Sequence, residues 1–228
     1  AFIPVIIHYG LDLEKTRLRL FKKHYGNLYE LLMKNSPHIF GDTADLVDAF
    51  RGISGRVKHG VLSQCCMETF GIPVLDKLGL LPFFEPNAIL GLDQVGFVKK
   101  AESAEPLRIV LELMDADPEH TYFVEDTLSN LERASEIKGL RCIYINHGKP
   151  LDTLPSFVSN QFRETTDFLR FLKEEVGGMG AGIPAVESST SETDLVESDV
   201  RRQRLPSWSW AIVGIVILAA IFFLRYIV

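Results

Sequence analysis

The stretch that most constrains this chain is Thr121-Tyr122-Phe123-Val124-Glu125-Asp126-Thr127, followed by Leu128-Ser129-Asn130-Leu131-Glu132-Arg133-Ala134. An apolar run ends abruptly in two adjacent carboxylates, and a helical pattern begins at once. Thr127 or Ser129 is placed to cap that helix, and Leu128, Leu131 and Ile137 fall on one side of it. A strand that stops at two acids and turns into a helix is the local signature of an open α/β sheet, in which ligands bind outside the carboxyl ends of the strands. Two acids beside a helix N-terminus suit a divalent cation carrying a phosphate.

The rest of the chain supplies a frame of the same kind. Residues 1–55 read as helical, with Leu11, Leu13, Leu18, Leu20, Phe21, Leu28, Leu31 and Leu32 in a charged background. Gly10 and Gly26 punctuate the run, Asn35-Ser36-Pro37 breaks it, and Asp42-Thr43-Ala44-Asp45 starts a further short helix. From Arg56 the period changes: Val57–Leu62 fits a strand ending at Ser63. A helix broken by Gly71 and Pro73 covers 67–80, and Ala88–Gly91 is a short strand. A helix follows at 107–114, with Pro106 in its first turn. The 121–126 strand comes next, then a helix to about 138 stopped by Gly139. A strand at 142–146, a His147-Gly148 turn and a helix over 167–175 close the unit. Strands alternating with helices, over 56–176, predict a doubly wound, mostly parallel sheet.

Residues 177–207 change character. Four glycines come first, then Glu187-Ser188-Ser189-Thr190-Ser191-Glu192-Thr193-Asp194, too polar to bury a core and expected to be a disordered linker. Residues 208–228 are apolar apart from Arg225 near the end. At 1.5 Å per residue, roughly 20 helical residues cross the ~30 Å hydrocarbon layer. Trp208 and Trp210 would mark one interface, Arg225 and Tyr226 the other, and Arg201-Arg202-Gln203-Arg204 would hold the globular part on the cytosolic side. The expectation is a single-pass C-terminal anchor in the lipid bilayer of the endoplasmic reticulum or the outer mitochondrial membrane. The net charge of −6, with no long basic run in the globular part, argues against nucleic acid as a partner. Cys65, Cys66 and Cys142 have no metal-ligand spacing and read as free thiols.

Taken together, these landmarks resemble the haloacid dehalogenase-like (HAD) phosphohydrolases, in particular the pyrimidine 5′-nucleotidase branch. Ser63 looks like that family's phosphate-holding Ser or Thr. Leu75-Asp76-Lys77-Leu78-Gly79-Leu80 with Phe83-Phe84 is similar to a recurring family segment, and 8–26 resembles its cap helices. Lys100 or Lys99 would be the family's phosphate-neutralising lysine. Phe123-Val124-Glu125-Asp126-Thr127 with Asn130 looks like its acidic motif, in which Asp126 and Glu125 would hold Mg²⁺, with Asn130 and Thr127 in support. The resemblance covers roughly 5–172. It implies a HAD-like Rossmannoid parallel sheet with an N-terminal helical cap, and a Mg²⁺-dependent phosphohydrolase acting on a small phosphorylated substrate such as a pyrimidine nucleoside monophosphate.

The family's first motif is absent. Its members carry an Asp-x-Asp-x-Thr on an apolar central strand, the first Asp serving as nucleophile, and this chain has no such sequence. Without that strand, those at 57–62 and 121–126 would flank a gap of unpaired backbone groups, which is costly when buried. The chain begins with Ala1 rather than Met, and the expectation is that the missing strand lies upstream in a longer chain. The alternatives are a tail-anchored binding or scaffold protein that keeps the fold without the chemistry, and a substitute strand from residues 1–7, which Pro4 disfavours in a central position.

Overall fold

A computed structural model describes residues 12–35, 43–179 and 210–213. In chain order the elements are α1 (Leu13–Asn35), α2 (Ala44–Arg51), β1 (Val57–Leu62), a π-helical turn (Met67–Gly71), α3 (Ile72–Lys77), β2 (Ile89–Leu90), α4 (Glu105–Leu113), β3 (Thr121–Glu125), α5 (Leu128–Ala134), β4 (Arg141–Ile145), β5 (Asn160–Phe162), α6 (Thr165–Met179) and β6 (Trp210–Val213). The fold is α/β, with a sheet ordered β2-β1-β6-β3-β4-β5 and parallel at every pairing.

Side-chain alternation along the strands builds a core on each face. Val57, Val61, Tyr122, Val124, Ile143 and Ile145 join Leu32 of α1, Phe50 of α2 and Phe168, Leu169 and Leu172 of α6. Leu62, Leu90, Phe123 and Cys142 meet Leu107, Val110 and Leu111 of α4 and Leu131 and Ala134 of α5. Gly60 permits the close approach of α4: a Cβ there would lie 2.5 Å from the Met114 sulfur and 3.1 Å from Val110.

Several elements differ from the sequence expectation. Gly26 does not interrupt α1, which runs unbroken through it; one glycine costs a helix about 1 kcal/mol, which packing offsets. The helix after the acids ends at Ala134, not near 138, although Ile137 is still buried. Gly177 and Gly178 belong to α6 rather than to a linker. The edge strand Asn160–Phe162 had no counterpart in the sequence reading.

The largest difference concerns the expected gap. The slot between β1 and β3 is occupied by β6, which pairs Val57↔Trp210 through Gly60↔Val213 on one side and Thr121↔Ala211 through Phe123↔Val213 on the other. The four residues filling the slot belong to the stretch read as a membrane helix; the remainder of that stretch, the linker from 180 and residues 1–11 lie outside the described residues. Among the described residues no helix is long and apolar enough to cross a membrane.

Candidate functional site

The carboxyl ends of β1 and β3 define the site. Ser63 lies three residues beyond Gly60, and Asp126 three residues beyond Phe123. Both Gly60 and Phe123 pair with Val213. Ser63 and Asp126 therefore stand level on the same sheet edge, two strand spacings apart, or about 10 Å.

Glu125 is the last residue of β3 and is 2% exposed. It is in phase with Phe123 and so faces the α4–α5 side, where Lys100 forms a short ion pair with it. The two side chains are 13% and 2% exposed, Lys100 first. Burial opposes the charge on Glu125 most strongly, but Lys100, with hydrogen bonds from Asp126 and Asn130, holds its carboxyl below the ordinary range. Asp126 moves the other way. Burial, a hydrogen bond to Glu125 and the charge on Glu125 push its pKa up to about 7. The adjacent acids thus divide their labour, Glu125 ionised against Lys100 and Asp126 retaining a proton near neutrality.

The supporting residues follow from the turn. Thr127 has the extended backbone of an N-cap but makes no side-chain cap bond; instead its hydroxyl donates to Asp126 Oδ1 at 3.1 Å. The capping role expected of Thr127 or Ser129 is therefore not what Thr127 does: it orients the acid. Asn130, in the first turn of α5, is 5% exposed, bonds to Glu125, and has a buried Oδ1 with no hydrogen-bond partner among the described residues. Lys100 and Asn130 also line a small hollow with Leu62, Phe123 and Ala134.

The two candidate lysines are separated by their surroundings. Lys99 is 55% exposed and pairs with Glu102 at 3.1 Å, whereas Lys100 turns inward onto Glu125. Lys100 belongs to the site and Lys99 does not.

Ser63 is 9% exposed; its backbone N–H donates to Leu90 O at 2.9 Å, and its Oγ accepts from Cys65 N–H at 3.2 Å. The Ser63 loop lies close to the loop after β2: a Cβ on Gly91 would stand 2.5 Å from Cys65 O and 2.9 Å from Met67 N. Helix α1 straps both loops. Tyr25 donates to Gln64 O at 3.3 Å, Thr69 to Lys22 O at 3.1 Å, and Phe21 packs edge-on against Phe97 at 5.1 Å, with Arg17 over the same ring at 3.8 Å. The loop leading to Lys100 and the loop leaving Ser63 are thereby held by one helix.

A further residue joins the site that the sequence reading treated only as a turn. His147 Nε2 lies 3.6 Å from Asp126 Oδ2, and its Nδ1 3.9 Å from Glu164. Burial lowers the imidazole pKa, against the pull of Glu164. The signal was its position directly beyond β4, whose register places Tyr144 beside Glu125. Asn146 fixes the turn: its Oδ1 accepts from Gly148 N–H at 2.9 Å and its Nδ2 donates to Gln161 at 3.2 Å. The three cysteines are free and buried, and burial pushes the thiols of Cys65 and Cys142 up to about 11, which disfavours the thiolate of those two at neutral pH.

The donor set can be tested against Mg²⁺. No group of three or more His, Cys, Asp or Glu poised for a metal occurs among the described residues. Mg²⁺ does not require one, since it keeps several waters and is held by one or two carboxylates together with substrate phosphate. Asp126 meets that need: a hard oxygen donor whose proton near pH 7 a divalent cation would displace. Glu125 is a poorer direct ligand because Lys100 already neutralises it.

Compared with known proteins, this chain matches no family model, no curated protein and no solved structure.

Proposed function

We propose that the β1–β3 edge is a Mg²⁺-dependent phosphomonoester site of the HAD phosphohydrolase type. The observation that carries the reading is the row formed by Ser63, the Lys100–Glu125 pair and Asp126 at one sheet edge. Asp126 would hold the cation, with Glu125 beside it. When bound, the cation would screen phosphate charge and orient a phosphoryl oxygen. Ser63 would donate its hydroxyl to a phosphoryl oxygen, and Lys100 would place its ammonium at the phosphate while keeping Glu125 ionised. Thr127 holds Asp126, and Asn130 supports Glu125. Helices α1 and α2 would select the substrate, with a pyrimidine nucleoside monophosphate as the leading candidate.

Hydrolysis by the family's route needs an aspartate nucleophile, which these 228 residues do not carry in an Asp-x-Asp-x-Thr motif. These residues are therefore expected to bind a phosphate ester without turning it over by that route. The second reading, a binding or scaffold protein on the same fold, is favoured by one observation: β6, the strand beside both halves of the site, spans Trp210–Val213 and contains no carboxylate. In both readings residues 208–228 would attach the protein to a bilayer.

Calorimetric titration with Mg²⁺ and a panel of nucleoside monophosphates tests the site. The expected result is phosphate-ester binding that requires Mg²⁺ and weakens at least tenfold in Asp126→Asn. Binding that is indifferent to Mg²⁺ and to Asp126 would refute the assignment.

A further inference from the structure

The strand in the central slot comes from the segment whose sequence reads as a bilayer anchor, and both roles cannot hold at once. As β6, residues 210–213 are extended, with a rise of about 3.3 Å per residue and ladders to β1 and β3; a membrane helix compresses them to about 1.5 Å per residue with all bonds internal. Length closes off a compromise. If 210–213 remain in the sheet, the uninterrupted apolar residues left are 214–224, which as a helix reach about 16 Å, roughly half the ~30 Å hydrocarbon layer. The whole of 208–228 would be needed to cross.

We infer that the C-terminal apolar segment is a two-position element, its residues 210–213 docked between β1 and β3 in the absence of lipid and withdrawn from the sheet when the segment enters a bilayer. The tether allows both positions. Residues 180–209 join α6 to β6, and 30 residues stretched out span at most about 100 Å. Each position gives the backbone of residues 210–213 partners, in the sheet through two parallel neighbours and in lipid through a helix. The cost of withdrawal falls on the domain, because β1 and β3 lose a shared neighbour along Val57–Gly60 and Thr121–Phe123. That loss is adjacent to the candidate site, since Ser63 and Asp126 lie three residues beyond the paired rows. Membrane contact is thereby coupled to order at the site. The inference rests on the anchor reading of 208–228 but not on the phosphohydrolase reading.

The full chain can be examined by amide hydrogen exchange, with and without phosphatidylcholine vesicles containing bromolipid. Trp208 and Trp210 are the chain's two tryptophans, so quenching reports this segment alone. Without vesicles, amides 211–213 are expected to exchange at least a hundredfold slower than in a free peptide. With vesicles, both tryptophans are expected to be quenched, and amides of 57–60 and 121–123 to exchange at least tenfold faster. Ala211→Pro sharpens the contrast. Proline is excluded from a central strand but accepted in the first turn of a helix, so this variant is expected to bind vesicles at least tenfold more tightly. Unprotected 211–213 amides without lipid would overturn the docked position. Absence of vesicle binding would overturn the withdrawn position and the anchor reading together, leaving the Mg²⁺ titration unaffected. Quenching with no change in β1 and β3 exchange would show that the positions are not exclusive, and would overturn the coupling.

Discussion

Replacing Lys100 with Met is the sharpest perturbation of the site, because it removes one partner of a buried ion pair and keeps the aliphatic stem. Glu125 is 2% exposed, and Lys100 is its cationic neighbour. Breaking a buried pair from one side costs about 3–5 kcal/mol, since the remaining charge must stay desolvated or take up a proton. With Lys100 itself 13% exposed, the lower end applies: about 3 kcal/mol, or a fall in Tm of about 10 °C for a domain of this size. The pH dependence has a definite sign. Without Lys100, burial raises the Glu125 pKa above its unfolded value. The protonated form then stabilises the fold at low pH, and that contribution is lost as pH rises through the raised pKa. The deficit of Lys100→Met relative to wild type, from urea unfolding, should therefore be smaller at pH 5 than at pH 8. Adding Glu125→Gln to Lys100→Met should recover most of the loss, because a neutral amide needs no counterion. A deficit that is the same at both pH values and is not recovered in the double variant would mean that Lys100 acts by packing alone.

Two further predictions concern the frame around the site. His59 is buried on β1 against Phe50 and Phe84, and burial lowers its pKa from 6.5 to about 4 against a hydrogen bond involving the Phe83 backbone. The unfolded chain takes up this proton near pH 6.5 and the folded chain only near 4, so stability falls as pH drops through that window, by about 3 kcal/mol from this group. Urea titrations at pH 7 and pH 4 should show His59→Gln losing about 3 kcal/mol less than wild type between the two; equal losses would refute a buried neutral imidazole. Gly91→Ala would drive a methyl into backbone atoms of Cys65 and Met67, and should cost about 1–3 kcal/mol in thermal unfolding, whereas Gly177→Ala, which meets nothing within 4 Å inside α6, should be neutral or stabilising. Equal behaviour of the two would remove the argument that the Ser63 loop is held by close backbone approach.

What could be read from sequence was what is locally encoded. Val57–Leu62, Ile89–Leu90 and Thr121–Glu125 are bounded by changes of pattern within a few residues, so Ser63 and the acids were visible as strand-end residues. Lys99 and Lys100 could not be separated, because adjacent residues in a loop point in different directions and only the position of Glu125 decides between them. His147 lies just beyond the end of β4, but its meaning comes from the β3–β4 register, a long-range quantity that this local position does not encode. Asn160–Phe162 is a three-residue edge strand with two amide side chains, short enough to leave no alternation to detect. Thr127 occupies the cap position, but its hydroxyl finds a nearer acceptor in Asp126. The identity of β6 was hidden for a different reason. A continuous apolar run carries no period, so hydrophobicity cannot distinguish a buried strand from a buried helix.

That ambiguity bears on the chemistry. The slot between β1 and β3 favours an apolar strand, whatever its source, because facing edges left unpaired in a buried layer cost free energy. That preference is met by backbone pairing and apolar character, which many sequences can supply, and it places no requirement for a carboxylate on the strand that meets it. Ser63, Lys100 and Asp126 are positioned by β1, β3 and the loops under α1, so their arrangement depends on the slot being filled but not on which strand fills it. The proposed hydrolysis would depend on the identity of the strand, because its nucleophile would have to stand in the row between Ser63 and Asp126. With β6 in place Ser63, Lys100 and Asp126 are still brought together, while the strand in the slot carries no acid. In the proposed reading, fold and binding on the one hand, and turnover on the other, would thus be controlled by separate properties of one strand position.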